Sequence, residues 1–395
     1  MTCPSTYLLS ALLTGAIAAT SASPLCAQNF NLDVGDNLGV PSAAYGGAAG
    51  QPGPWNAAVD STVIPFSVTD LVRADGMPST VDFTRSAVNC VGCSSKNNAT
   101  NALTMGDEEL LMDDFYDLGV FSSSATWSFD GLDAGQYSVY TYAWAPDGPS
   151  FSTSVDVVGS TGPVTVGGAW AGHQEGVTYA LHVVDLAAGS PLIIDTMTSS
   201  AFGTVNGFQI VQRESAGTNY CLGDGGDQMG CTPCRCGNEA PMGTIGGCLN
   251  SAGMSGRLDA FGTPSVASDS LRLEMRSANP NTFGILLSGG LSSPPPGGVC
   301  PPGSGTLNGP ALDGLRCVRG AVLRHGTRAT DANGDVGVTN NGWGPPNGPA
   351  GGLIAANAFM AGETRFFQVF YREDVLLGCM TAQNTTNGVE VLILP

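Results

Sequence analysis

Apolar residues in this chain alternate with polar ones at every second position, in short runs separated by glycine, proline, asparagine and aspartate. A period of two is the pattern of a strand with one face in a core and one in water. Clear runs occupy 126–129, 136–144, 151–158, 177–184, 270–276 and 364–372. In the run 270–276, Leu271, Leu273 and Met275 fall on the face expected in a core, and Arg272, Glu274 and Arg276 on the face expected in water. Helical periodicity is nearly absent; the one helical candidate is the acidic stretch 107–118. The pattern predicts an all-β chain built as two β-sandwich, jelly-roll-like domains.

The 395 residues divide unevenly. Residues 7–19 form an apolar run of secretory-signal length, too short to span a bilayer. We read 1–27 as an export signal ending at Ala27, although no Lys or Arg precedes Arg73. Removing it takes Cys3 and Cys26 and leaves an even number of cysteines, which an oxidising compartment would pair. Cys90 and Cys93 stand in the first half, and Cys221, Cys231, Cys234, Cys236, Cys248, Cys300, Cys317 and Cys379 in the second. All ten are expected in disulfides, which are favoured over a zinc cluster or a redox CxxC pair outside the cell. The expected organisation is an acidic domain at 28–213, a linker at 214–220 and a cysteine-rich domain at 221–395. No later apolar run is long enough to span a membrane.

Charge narrows the partners. The net charge is −19, and Lys96 is the one lysine. Such a chain cannot coat phosphates, which excludes nucleic acid, and it has no reason to dock on an anionic membrane. No glycine-rich phosphate loop precedes Lys96, and three histidines leave little for histidine-based metal or catalytic chemistry. The acidity belongs to the first domain, with nineteen acidic residues against four basic; the second has fourteen against ten.

The run Gly131-Leu-Asp-Ala-Gly-Gln-Tyr-Ser-Val-Tyr-Thr-Tyr, with Gly203-Thr-Val-Asn-Gly-Phe-Gln-Ile-Val at the close of the domain, resembles galactose-binding-like jelly rolls and carbohydrate-binding modules. The resemblance implies that the second run is a final strand completing the sheet, and that Tyr137 and Val139 point inward. The second half carries Tyr220-Cys-Leu-Gly-Asp-Gly, Cys234-Arg-Cys-Gly-Asn, Gly247-Cys-Leu-Asn and Gly314-Leu-Arg-Cys. It resembles a cysteine-containing β-sandwich domain at the C-termini of many secreted bacterial proteins, for which the resemblance implies no activity. Cys231 and Cys300 are additional to that pattern and are expected to pair with each other.

Candidate site residues are few. Tyr140, Tyr142 and Trp144 share one strand face, either as a stacking platform for sugar rings or as core. Asp147, Trp170 and His173 follow in loops that would form a rim. Asp331, Asn333 and Asp335 match the first ligands of a calcium loop, but Val336 and Gly342 stand at its sixth and twelfth positions, and an Asn-Gly turn explains the residues equally well. Calcium is the candidate cofactor there; otherwise none is expected. No Gly-x-Ser-x-Gly elbow occurs and no catalytic residues are assigned. The expectation is a secreted, non-catalytic protein that binds a polysaccharide or cell-surface component. The alternatives are a structural adhesin or coat component without a small ligand, and a glycan-degrading enzyme of unrecognised type.

Overall fold

The computed structural model describes residues 27–395 apart from 36–37, 59–64, 91–93, 226–233, 235, 293–312, 338–341, 346–347, 350–351 and 374–381. The protein is almost entirely β, and the chain divides into two compact units between Arg213 and Glu214.

The first unit has β1 (Phe30–Val34), β2 (Trp55–Ala58), β3 (Phe66–Val68), β4 (Asp82–Asn89), β5 (Ser94–Asn98), α1 (Asp107–Met112), β6 (Asp114–Val120), β7 (Ser124–Asp130), β8 (Gly135–Tyr142), β9 (Thr153–Val157), β10 (Val164–Val166), β11 (Tyr179–Leu186), β12 (Leu192–Thr198), β13 (Phe202–Val205) and β14 (Gly207–Arg213). A five-stranded sheet in the order β11-β8-β14-β1-β2 and a six-stranded sheet in the order β10-β9-β12-β7-β4-β3 contribute their inner faces to one core. Alternate residues supply it: Phe30 and Leu32, Tyr137 and Val139, Phe208 and Ile210 from the first sheet, and Phe83, Trp127, Phe129 and Ile194 from the second. Phe208 lies 5.5 Å from the Trp127 ring and 5.7 Å from Phe83, so the two sheets meet through aromatic contacts. Tyr137 and Val139 point inward, as expected.

Two local expectations need correction. The helix stops at Met112, and Asp114–Val120 continues as β6, which pairs with β13 and β5. Phe115, Tyr116 and Leu118 are buried by sheet packing, which overrides the weak helical signal of an acidic stretch. The run 203–211 is not one strand either. It breaks at Asn206 into β13 and β14, which lie in different sheets. Fully buried Asn206 accepts the Trp144 N–H at 2.8 Å and donates to the Met112 carbonyl at 2.9 Å. Its side chain satisfies backbone groups that the broken ladder leaves over.

The second unit has β15 (Thr218–Tyr220), β16 (Arg257–Phe261), β17 (Arg272–Arg276), β18 (Phe283–Gly289), β19 (Leu291–Ser292), β20 (Val318–Arg319), β21 (Leu323–Ala329), α2 (Gly352–Ala356), β22 (Thr364–Arg372), β23 (Gln383–Thr385) and β24 (Gly388–Leu392). Its main sheet runs β15-β24-β22-β18-β21, with β23 on β22. The segment 214–220, expected as a linker, ends in β15, which pairs with β24 and so belongs to this unit. Leu271, Leu273 and Met275 are fully buried with Leu286, Trp343, Phe367 and Val369. Glu274 is a correction: it is 1% exposed, not in water, because Leu273 and Met275 also bridge to Trp343 and Val336 and bring that segment over it. Burial of the carboxylate is offset by an ion pair with Arg272 at 2.6 Å.

Disulfides Cys221–Cys317 and Cys234–Cys248 staple a second cluster of this unit, packed with Tyr220, Leu315, Val318 and Phe366. Cys90 and Cys236 are also disulfide-bonded. Cys93, Cys231, Cys300 and Cys379 lie outside the described residues, and with them the expected Cys231–Cys300 pair. The motif glycines of this half are sites of close backbone approach. A Cβ on Gly247 would stand 2.0 Å from the Thr385 carbonyl oxygen, and one on Gly223 2.2 Å from the Gly247 carbonyl carbon.

Candidate functional site

The outer face of the five-stranded sheet should be polar if it faced water alone. Its register instead lines up Leu181, Tyr140, Gln209, Asn31 and Trp55 in one row, and Tyr179, Tyr142, Gly207, Asp33 and Ala57 in the next. Three aromatic rings of β8 and β11 and one of β2 therefore share a face away from the main core. Three segments lie over it. Helix α1 brings Leu111 and Met112, the loop before β2 brings Tyr45 to Ala48, and the loop before β11 brings Trp170 and His173. Gly207 lets α1 approach: a Cβ there would stand 2.9 Å from Leu111. Gly47, at φ 55°, does the same for the first loop, since a Cβ would meet the Tyr142 hydroxyl and Gln209.

A chain of hydrogen bonds fastens that loop to the sheet. The Tyr142 hydroxyl donates to Gln209 Oε1 at 2.6 Å and accepts the Ala48 N–H at 2.6 Å. Gln209 Nε2 donates to Asn31 Oδ1 at 2.8 Å and to the Gly46 carbonyl at 3.0 Å. Trp144 Nε1 donates to the Gly168 carbonyl at 2.9 Å. Tyr142 is fully buried and Trp144 is 2% exposed, so neither presents a face to a ligand. This corrects their place among the ligand-binding candidates: they are the floor of the site. Burial pushes the Tyr142 phenol well above its usual range and keeps it a neutral donor.

Above that floor, His173 is the hub. Its ring lies 5.4 Å from Tyr142, 5.8 Å from Trp170 and 6.1 Å from Tyr45, and its Nε2 is 2.5 Å from the Tyr45 hydroxyl. Burial pushes the imidazole down to about 4, so it is neutral near pH 7 and Nε2 can accept a hydrogen bond from the Tyr45 hydroxyl. Trp170 packs 5.0 Å from Trp144, and Tyr140 5.6 Å from Tyr179. Tyr45, Tyr140, Trp170 and Tyr179 are each only partly covered. Glu175 is half-buried and burial raises its carboxyl; burial first, and the Glu175 charge second, raise the Tyr179 phenol. Asp147 is exposed on the loop that leaves β8. The sequence reading missed Tyr45, Tyr179 and Glu175. The Gly46-Gly47 pair after Tyr45 was the available signal, marking a loop that lies against another surface.

The calcium-loop candidates and the other two histidines each take part in hydrogen bonds. Asp331 Oδ1 accepts the backbone N–H groups of Asn333 at 2.8 Å and Asp335 at 2.9 Å, capping a turn, and Asp335 Oδ1 accepts the Ser277 N–H at 2.9 Å. Among the described residues, no group of three or more His, Cys, Asp or Glu is placed to hold a metal ion. His182 Nε2 meets the Gly162 carbonyl oxygen at 3.1 Å, and His325 Nε2 meets Ser288 Oγ at 2.7 Å, with Ser288 fully buried in β18.

No family model matches the chain, and no curated protein matches it. Among solved structures it is similar to "CBM35 from Cellvibrio japonicus Abf62", at 16% identity and a TM-score of 0.21, over 32% of this chain and 85% of that one. "Truncated AlyQ with CBM32 and alginate lyase domains" is similar at 12% identity and a TM-score of 0.18, over 78% of this chain and 90% of that one. A Bacteroides uniformis beta-glucuronidase is similar at 9% identity and a TM-score of 0.17. That match covers 70% of this chain but spans 27% of the glucuronidase.

Proposed function

We propose that this is a secreted, non-catalytic protein whose first unit binds a neutral glycan on the aromatic outer face of its five-stranded sheet. The observation that carries the reading is the grouping of Tyr45, Tyr140, Trp170 and Tyr179, each partly exposed, over a rigid floor of Tyr142 and Trp144. Partly exposed rings offer flat apolar surfaces to the C–H faces of sugars. Glu175 and the exposed Asp147 supply acceptors for hydroxyl groups, and the acidity of the unit disfavours an anionic ligand. Export is supported by the disulfides of Cys221, Cys317, Cys234 and Cys248, which a reducing cytosol would not maintain. Among the described residues no helix is long and apolar enough to cross a membrane.

The test is a titration of the full chain with neutral oligosaccharides, read by tryptophan fluorescence and calorimetry, with reducing-end release assayed in parallel. Binding by at least one sugar is expected, weakened about tenfold or more by Trp170→Ala, with no new reducing ends. If no sugar binds, the glycan reading fails and a structural coat or adhesin role replaces it. Release of reducing ends would replace the non-catalytic reading with that of a glycan-degrading enzyme.

A further inference from the structure

The outer face of the main sheet in the second unit carries a groove of about 480 Å³. Its floor comes from residues that alternate away from the core, Phe283, Ile285 and Leu287 of β18 with Phe370 of β22. Three arginines also line it: Arg316 before β20, Arg324 on β21 and Arg372 at the end of β22. No acidic residue is among its described lining. Arg316 Nε donates to the Val318 carbonyl at 3.1 Å, and the Arg372 guanidinium lies 5.5 Å from the centre of the Phe283 ring. None of the three has a carboxylate partner among the described residues, while Arg257, Arg272 and Arg365 of the same unit are ion-paired.

In a chain of net charge −19, three arginines that have no carboxylate partner among the described residues and face one concave apolar surface are a local reversal of sign. Guanidinium groups beside an apolar groove attract carboxylates and can bind them in forked pairs. The floor needs an apolar partner, and the volume is that of a small-ligand site rather than of a macromolecular interface. We propose that this groove binds a short carboxylated sugar, a uronate oligosaccharide, with its carboxylates on the arginines and its ring faces on Phe283 and Phe370. The site lies in the second unit and does not depend on the aromatic face of the first.

The probe is trigalacturonate, titrated calorimetrically into the full chain at low and moderate salt. Its neutral methyl ester and a triglutamate peptide are run beside it. The acid is expected to bind, to weaken as salt rises and to lose about tenfold or more in affinity on esterification. Arg324→Gln and Arg372→Gln, both at exposed positions, should each weaken it about tenfold while the thermal transition stays in place. Trp170→Ala should leave it unchanged, which separates this site from the first. The proposal is overturned if trigalacturonate does not bind, if acid and ester bind equally, if the arginine variants bind as well as the parent, or if triglutamate binds as tightly as the sugar.

Discussion

His173 shows how far one side chain's role depends on its neighbours. Its imidazole titrates at about 4 in the folded state, below the ordinary histidine value, because it is enclosed by Tyr45, Tyr142 and Trp170. The unfolded chain therefore binds a proton between about pH 6.5 and 4 that the folded chain refuses. Stability from this group is full above about pH 6.5 and is lost as pH falls toward 4, by roughly 3 kcal/mol. His173→Gln should remove that dependence, so the stability difference between parent and variant shrinks on acidification, as chemical denaturation at pH 7 and pH 4.5 would show. A constant difference would mean that the imidazole is charged or solvated in the fold. Asp335 behaves with the opposite sign. Burial raises its carboxyl to about 6, so it destabilises the second unit as pH rises through that window. The sequence named His173, Trp170 and Tyr142 but not their division of labour. Residue type marks an aromatic as able to stack, and only burial decides whether it presents a face.

At the scale of elements, the two junctions that the sequence misread are both places where packing overrode local pattern. The run 203–211 reads as one strand despite its Asn206-Gly207 pair, and Asn206 divides it between two sheets. Asn206→Ala would orphan the buried Trp144 N–H and Met112 carbonyl, at a cost of about 2–4 kcal/mol. It should also loosen the chain just after β8, which amide exchange at Trp144 and Ala145 would report. In the second unit, Gly247→Ala would set a Cβ against the Thr385 backbone and should destabilise that unit by about 1–3 kcal/mol or more. A variant as stable as the parent would mean that β23 can shift away freely. The motif glycines were legible as punctuation, but the strand each one touches was not.

For the whole molecule, sulfur and hydrophobic burial share the second unit. Cys221–Cys317 closes a loop of 96 residues and Cys234–Cys248 one of 14. Chain-entropy arguments put such bridges at about 5 and about 3 kcal/mol. A double Cys221→Ser, Cys317→Ser variant should lower the calorimetric transition of the second unit and leave that of the first in place, whereas a joint shift would show that the two units do not melt separately. What the sequence determined by itself was the strand content, the division of charge, and the core faces of β8 and β17, because a period of two and the sign of a side chain are local properties. The tertiary structure alone decided that Tyr142 and Trp144 are floor, that Glu274 is enclosed, and that Arg316, Arg324 and Arg372 meet in one groove. Those outcomes depend on which strands and loops, distant in sequence, come to lie over one another, and alternation along a single strand carries no information about what covers it.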